Sequence, residues 1–284
     1  MSHKHKIKII GEGLQFPEGP AFDPEGNLWC VELKGEGLVA FNRSDEIDLR
    51  RIPTGGAPNG LTFDYNGRAL FCDSDQNSVR IYDPSDGSLE VIIATLDTFN
   101  GKPLDKPNDL AFDSIGNLLF TCPGNSRTEP TGYVCCVTME GEISVIADSL
   151  YFPNGLVFYD EETLVIAETY RHRLWIGKWD PNVRIWKSPG ILAEVGGPIG
   201  PDGMAVGEDG LIYTAVFGTA SIKAVSTGGE IVRVITLPGE CPTNCAFDPS
   251  GELGLVVTEA EKGLLLSITG VVHGRKLFDG RQNV

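Results

Sequence analysis

A chain of 284 residues with 41% hydrophobic and 22% charged residues has the make-up of an ordinary globular protein that buries a core. Its formal net charge of −16 argues against nucleic-acid or anionic-membrane partners, because such a surface repels phosphates. No run approaches the roughly 18 apolar residues of a membrane span.

The first ten residues are basic through His3, Lys4, His5, Lys6 and Lys8 but hold no apolar stretch of secretory type, so a cytoplasmic protein is expected. Seven cysteines, an odd number without a CxxC pair, fit reduced thiols better than a disulfide framework. Cys241 and Cys245, four apart, retain a spacing that a bridge allows.

Lys6 to Ile10 reads as a strand with nothing local to pair with. Then a pattern begins and recurs six times: Pro17-Glu18-Gly19, Pro58-Asn59-Gly60, Pro107-Asn108-Asp109, Pro153-Asn154-Gly155, Pro201-Asp202-Gly203 and Pro242-Thr243-Asn244. The copies are 41, 49, 46, 48 and 41 residues apart, a period that belongs to propeller blades. In the third copy Leu110 to Phe112 forms a short strand, Asp113-Ser114-Ile115-Gly116 a turn, and Asn117 to Thr121 a returning strand. The turn recurs as Asp23-Pro24-Glu25-Gly26, Asp64-Tyr65-Asn66-Gly67 and Asp248-Pro249-Ser250-Gly251, with a variant at Gly207 to Gly210 and a version lacking glycine at Tyr159 to Glu162. The returning strands are apolar without alternation, as expected where both sheet faces are covered.

More polar outer strands follow at Leu38 to Phe41, Val79 to Tyr82, Tyr133 to Val137, Leu174 to Ile176, Ile222 to Val225 and Leu264 to Ile268, with a fourth strand visible at Leu89 to Ala94, Ile143 to Ala147 and Ile231 to Leu237. The last repeat is one strand short. The expected fold is therefore an all-β, six-bladed β-propeller in a single domain over residues 1–284, closed by the N-terminal strand completing blade six and removing an open sheet edge.

In a closed ring, equivalent positions face one axis, so Glu18, Asn59, Asn108, Asn154, Asp202 and Thr243 are expected to meet there, all with oxygen as ligand atom. The next residue is Gly, Asp or Asn in every copy, which predicts positive φ at that position. Oxygen donors suit a hard divalent cation, whereas structural zinc prefers Cys and His. Two carboxylates neutralise one such ion, and without it they are costly to bury together.

Phe16-Pro17-Glu18-Gly19-Pro20, Lys106-Pro107-Asn108-Asp109, Pro153-Asn154-Gly155-Leu156 and Ile199-Gly200-Pro201-Asp202-Gly203-Met204 resemble the signature segments of the gluconolactonase, senescence marker protein and luciferin-regenerating enzyme family. The resemblance spans residues 6 to about 272. It implies a six-bladed propeller with one divalent cation in its central channel, Ca2+ before Zn2+, Mn2+, Mg2+ or Fe2+, held by Glu18, Asn108, Asn154 and Asp202.

The resemblance further implies metal-dependent hydrolysis of a sugar lactone (an aldonolactone) to the open-chain acid, with the cation polarising the carbonyl and Asp202 as general base. A metal-bound hydroxide or a carboxylate behind the ligands, Asp73 or Glu168, is an alternative base. Substrate binding is expected from Asn59, Lys106, Asn125 and Arg127, with Lys106 standing where many relatives carry arginine. Two other readings stay open: a phosphotriesterase-like propeller, and a non-catalytic binding propeller with a structural cation. No His-Glu-x-x-His run, phosphate loop or nucleophile elbow is present, and His172 reads as a loop residue.

Overall fold

The computed structural model describes residues 5–42, 48–96 and 102–281, so His3 and Lys4 lie outside the described residues. Within these bounds six four-stranded antiparallel sheets form the blades of a β-propeller. Strand β1 (Lys6–Gly11) comes first and belongs to the last sheet. Blade one is β2 (Pro17–Phe22), β3 (Leu28–Glu32), β4 (Gly37–Asn42) and β5 (Asp48–Pro53). Blade two is β6 (Pro58–Phe63), β7 (Ala69–Asp73), β8 (Ser78–Tyr82) and β9 (Leu89–Ile93).

A short ribbon, β10 (Thr95–Leu96) against β11 (Lys102–Pro103), leads to blade three: β12 (Leu110–Phe112), β13 (Leu118–Cys122), β14 (Gly132–Val137) and β15 (Ile143–Leu150). Blade four is β16 (Pro153–Asp160), β17 (Thr163–Glu168), β18 (Arg173–Asp180) and β19 (Ile185–Glu194). Blade five is β20 (Gly200–Val206), β21 (Ile212–Phe217), β22 (Ser221–Val225) and β23 (Ile231–Thr236). Blade six is β24 (Pro242–Phe247), β25 (Leu255–Glu259) and β26 (Leu264–Thr269), completed by β1, which pairs antiparallel with β26 with Lys6 opposite Thr269. The N-terminal strand thus clasps the ring as its missing local partner predicted.

The returning strands β3, β7, β13, β17 and β25 are buried at every residue, which is why they carry no alternation. Their side chains fill the wedges between blades: Val31 and Leu38 pack with Phe63 and Phe71, and Leu119 and Cys136 pack with Leu156 and Ile166. The last wedge joins Cys30 and Val39 of blade one to Val256 and Leu265 of blade six. Each fully buried Leu or Phe contributes ~2 kcal/mol by area, and the core is thereby spread over six equivalent interfaces. All seven cysteines are free thiols, Cys241 and Cys245 included.

The aspartate turns close on themselves: Asp113 accepts hydrogen bonds from the amides of Ile115 and Asn117, and Asp64 from those of Asn66 and Arg68. They gather on one face, called here the lower face. The loops joining second to third strands, and the connections between blades, open on the upper face.

Three features exceed the expectation. Blades one and four have fourth strands in β5 and β19, whose polar or proline-interrupted sequences give little strand signal; β19 is irregular, with Ser188 at φ 48°. The chain after β26 then crosses the lower face as a strap. Gly274 bridges Gly207, the Arg275 amide donates to Val206 O at 2.9 Å and its guanidinium to Tyr159 O at 2.6 Å. Phe278 packs edge-on to Phe158 at 6.0 Å, and the Tyr65 amide donates to Asp279 O at 2.9 Å. No helix among the described residues is long and apolar enough to cross a membrane.

Candidate metal centre

Six inner strands begin on the upper face, and the second residue of each repeat is buried: Glu18 5% exposed, Asn59 7%, Asn108 9%, Asn154 6%, Asp202 8% and Thr243 0%. Backbone and hydroxyl contacts link them from blade to blade. Gly60 N donates to Asn108 O at 2.6 Å, Thr121 Oγ1 to Asn154 O at 2.8 Å, Thr169 Oγ1 to Pro201 O at 2.7 Å, and Thr243 Oγ1 to Pro17 O at 2.7 Å.

At five of the six positions after the ring residues φ is not positive, which corrects the expectation, and the glycines there owe their identity to space. Only Gly19 has positive φ, at 45°. A Cβ on Gly155 would stand 2.4 Å from Asp202 O, and one on Gly60 2.5 Å from Asp109 Oδ1. On Gly203 it would meet Asn244 at 1.9 Å. The left-handed residues lie one place before the proline, at Phe16 (57°), Lys106 (51°) and Phe152 (62°). Backbone strain of this kind persists where surroundings fix it, and here it swings three side chains at the channel mouth.

Burial, with Asp202 and Asp109 as like charges nearby, raises the Glu18 carboxyl well above its ordinary range. Burial and Asp109 do the same to Asp202, although Asn154 donates a hydrogen bond to it. Burial lifts Asp109 to about 7. No basic side chain is among the groups acting on these three. Charge of one sign, desolvated and without a countercharge, is the condition a divalent cation relieves.

Asn154 also donates Nδ2–H to Thr169 Oγ1 at 3.2 Å, so its NH2 is committed and its carbonyl oxygen is the atom left for a cation. Among the described residues no three His, Cys, Asp or Glu side chains form a cation cage by themselves. A shell here therefore needs the amide oxygens of Asn108 and Asn154 beside the carboxylates of Glu18 and Asp202, and that mixed oxygen set fits Ca2+.

Asp109 is the residue that sequence reasoning passed over. It looked like a turn residue, yet its carboxylate accepts from the amides of Leu110 at 2.9 Å and Leu156 at 3.3 Å, bracing blade three against blade four beneath the ring. The signal was present: only blades three and six replace the glycine, by Asp109 and Asn244. Both pair the replacement with a threonine, Thr121 or Thr258, that accepts the local amide.

Thr243 Oγ1 lies 2.7 Å from Pro17 O and 2.8 Å from Thr258 Oγ1, which holds it in the seam between blades six and one. Asp73 and Glu168 do not stand behind the ligands as bases. Asp73 accepts from the amides of Ala57 and Gln76 and from Arg80 Nη1 at 2.8 Å; Glu168 accepts from Tyr151 N, Arg173 Nε and Trp175 Nε1, each at 2.7 Å. Glu32 repeats the arrangement with Gln15 N and Arg51, and Glu259 with Cys241 N. These carboxylates are pins that hold the loops before Pro17, Pro58, Pro153 and Pro242. His172 ends a single 3-10 turn (Thr169–Arg171), and its carbonyl accepts from Val195 N, as befits a loop residue.

The remaining candidates stand at the mouth. Lys106 Nζ donates to Asn125 Oδ1 at 3.1 Å, and the Arg127 guanidinium lies over the rings of Phe152 and Tyr170 at 5.8 and 5.6 Å. Phe16 and Phe217, from blades one and five, stack at 6.4 Å across the end of blade six.

Known proteins share this plan. Diisopropyl-fluorophosphatase of Loligo vulgaris is 27% identical over 95% of this chain and 93% of its own. Gluconolactonase of Zymomonas mobilis is 25% identical over 87% and 77%. The solved structure of a luciferin-regenerating enzyme superposes with a TM-score of 0.83 at 18% identity, covering 99% of this chain and all of the other. The model of the SMP-30/gluconolactonase/LRE-like region matches residues 11–261, and the chain belongs to that family.

Proposed function

We propose that this chain is a hydrolase that opens a lactone ring, using one divalent cation held by Glu18, Asn108, Asn154 and Asp202. The observation that carries the reading is the buried hub, where Glu18 and Asp202 sit without a basic partner and Asn154 has committed its NH2. When bound, the cation, Ca2+ for this oxygen set, supplies charge neutralisation and Lewis-acid polarisation of the carbonyl.

Asp202 takes a proton from the attacking water, whose oxygen bonds to the acyl carbon. The acyl–oxygen bond of the ring breaks, and the ring oxygen regains a proton to give the hydroxy acid. Asp109 holds blades three and four in register under the two asparagines. Asn59, Lys106, Asn125 and Arg127 contact the rest of the substrate. An aldonolactone is the first substrate to try, in a small-molecule role suited to a cytoplasmic protein.

A phosphotriester reading is favoured by one specific observation, the 27% identity to a fluorophosphatase over nearly the whole chain. Both substrate types carry a P=O or C=O that the same cation would polarise, so assays of lactones and phosphotriesters at equal metal load separate them. For either, Glu18→Gln and Asp202→Ala lower turnover at least about a hundredfold while the protein stays folded. Near-normal hydrolysis by either variant contradicts the proposed centre.

A further inference from the structure

In blades one, two and four the carboxylate ending the second strand is neutralised by an arginine: Glu32 by Arg51 at 2.8 Å, Asp73 by Arg80 at 2.8 Å, Glu168 by Arg173 at 2.7 Å. Blade six keeps the carboxylate, Glu259, on backbone amides, blade five ends its second strand in Phe217, and blade three departs in a third way. The equivalent residue is Cys122, and the amide that the missing carboxylate would hold, Asp105 N, donates instead to Tyr133 Oη at 3.0 Å. Tyr133 stands opposite Cys122, as Arg173 stands opposite Glu168. The blade has thus lost both members of the ion pair, and its loop is pinned by a neutral phenol.

Yet the same blade carries two cations at the mouth. Lys106 is turned by its left-handed backbone and tied to the neutral amide of Asn125; Arg127, two residues on, rests on the faces of Phe152 and Tyr170. Among the described residues neither has a carboxylate within ion-pair distance. The side chain of Asp105 lies against Gly124, where a Cβ would come within 2.2 Å of its Oδ2. In a chain of net charge −16, these two positive groups flank Asn125 in contact or in sequence and are both held by neutral contacts. Stacking on two rings pre-orders the guanidinium fork, which suits a carboxylate or phosphate. Phe16 and Phe217 stack on the opposite side of the mouth, with Lys34 Nζ 5.0 Å from the centre of the Phe16 ring.

We propose that the substrate is an anionic lactone, one bearing a carboxylate or phosphate group that Arg127 and Lys106 receive at blade three while its apolar edge lies under Phe16 and Phe217. This rests on the lactonase reading and narrows it.

The test uses the metal-loaded full chain and two γ-lactones that differ only in a ring carboxylate or its primary amide. The carboxylate is preferred in kcat/KM by about tenfold or more, the worth of one charge-assisted contact, and the preference is expressed in KM. In Arg127→Gln the ratio falls towards one; in Arg127→Lys part of it returns, which a purely structural role of Arg127 would not produce. A phosphate-bearing lactone in the same assay distinguishes the two anions. Equal kcat/KM for the charged and neutral lactones, or a ratio that Arg127→Gln leaves intact, overturns the proposal. If neither lactone is opened, the hydrolase reading fails by itself, and calorimetric binding of the same pair still decides. Tighter binding of the carboxylate that Arg127→Gln abolishes sustains the anion site, and equal binding removes it.

Discussion

Thr243 donates its hydroxyl to the carbonyl of Pro17, 2.7 Å away in space and 226 residues away in sequence. The bond joins the last blade to the first at the level of the candidate ligands. The same hydroxyl lies beside the Glu18 carboxyl, so one side chain ties the seam between the last and first blades to the hub. Thr243→Val keeps the shape and removes the bond, leaving Pro17 O unsatisfied in a buried place. A loss of about 1–3 kcal/mol is expected, read as a lower denaturation midpoint with unchanged slope. An unchanged midpoint would show that the seam does not depend on this contact.

Asp73 is completely buried and paired with Arg80, itself nearly buried. Asp73→Asn strands the guanidinium, and the expected cost is about 3–5 kcal/mol. Turnover per folded molecule should hold, since Asp73 pins a loop and touches neither ligand nor mouth. If folded Asp73→Asn protein instead loses turnover as Asp202→Ala does, Asp73 is part of the chemistry.

The three hub carboxyls give the metal-free protein an inverted pH response. Their folded-state pKa values are raised, that of Asp109 to about 7. Between the ordinary carboxylate range and that value the folded chain therefore binds more protons than the unfolded one, and stability falls as pH rises through this window. Chelated protein should melt higher at about pH 5 than at about pH 8. Added Ca2+ should restore the loss at the higher pH, because the cation binds the ionised carboxylates. A chelated melting temperature that climbs across the same window contradicts this description of the hub.

On the lower face, Phe278 fills the groove beside Phe158 and joins the apolar wedges on both sides of blade three. Phe278→Ala is expected to cost ~2 kcal/mol and to raise amide exchange at Tyr65, whose N–H bonds to Asp279. Exchange at Tyr65 that stays at the wild-type rate would mean the strap is held without its aromatic anchor.

What could be read from the sequence was what repeats locally. The proline, the oxygen-bearing residue and the aspartate turn recur in one order, so six blades, their inner strands and the burial of the second residue of each repeat were legible. The reason for the glycines was not. Gly155 and Gly203 make room for groups one blade onward, Asp202 and Asn244, and no local pattern records a clash with a residue more than forty positions away. Asp109 was hidden by the same non-locality, since its partner amide belongs to Leu156. The strap was illegible for a different reason. Its bonds go to single backbone groups of Val206, Tyr159 and Tyr65, which impose no periodicity on the strap's own residues.

The central claim is that four oxygen-bearing side chains from four blades hold one divalent cation. A crystal grown with Mn2+ and measured for anomalous scattering tests it most directly. The account predicts one strong peak on the channel axis within coordination distance of Glu18, Asn108, Asn154 and Asp202, lost in Glu18→Gln. A hub without a peak at saturating metal, or a peak bound elsewhere while Glu18 and Asp202 remain apart, would contradict it.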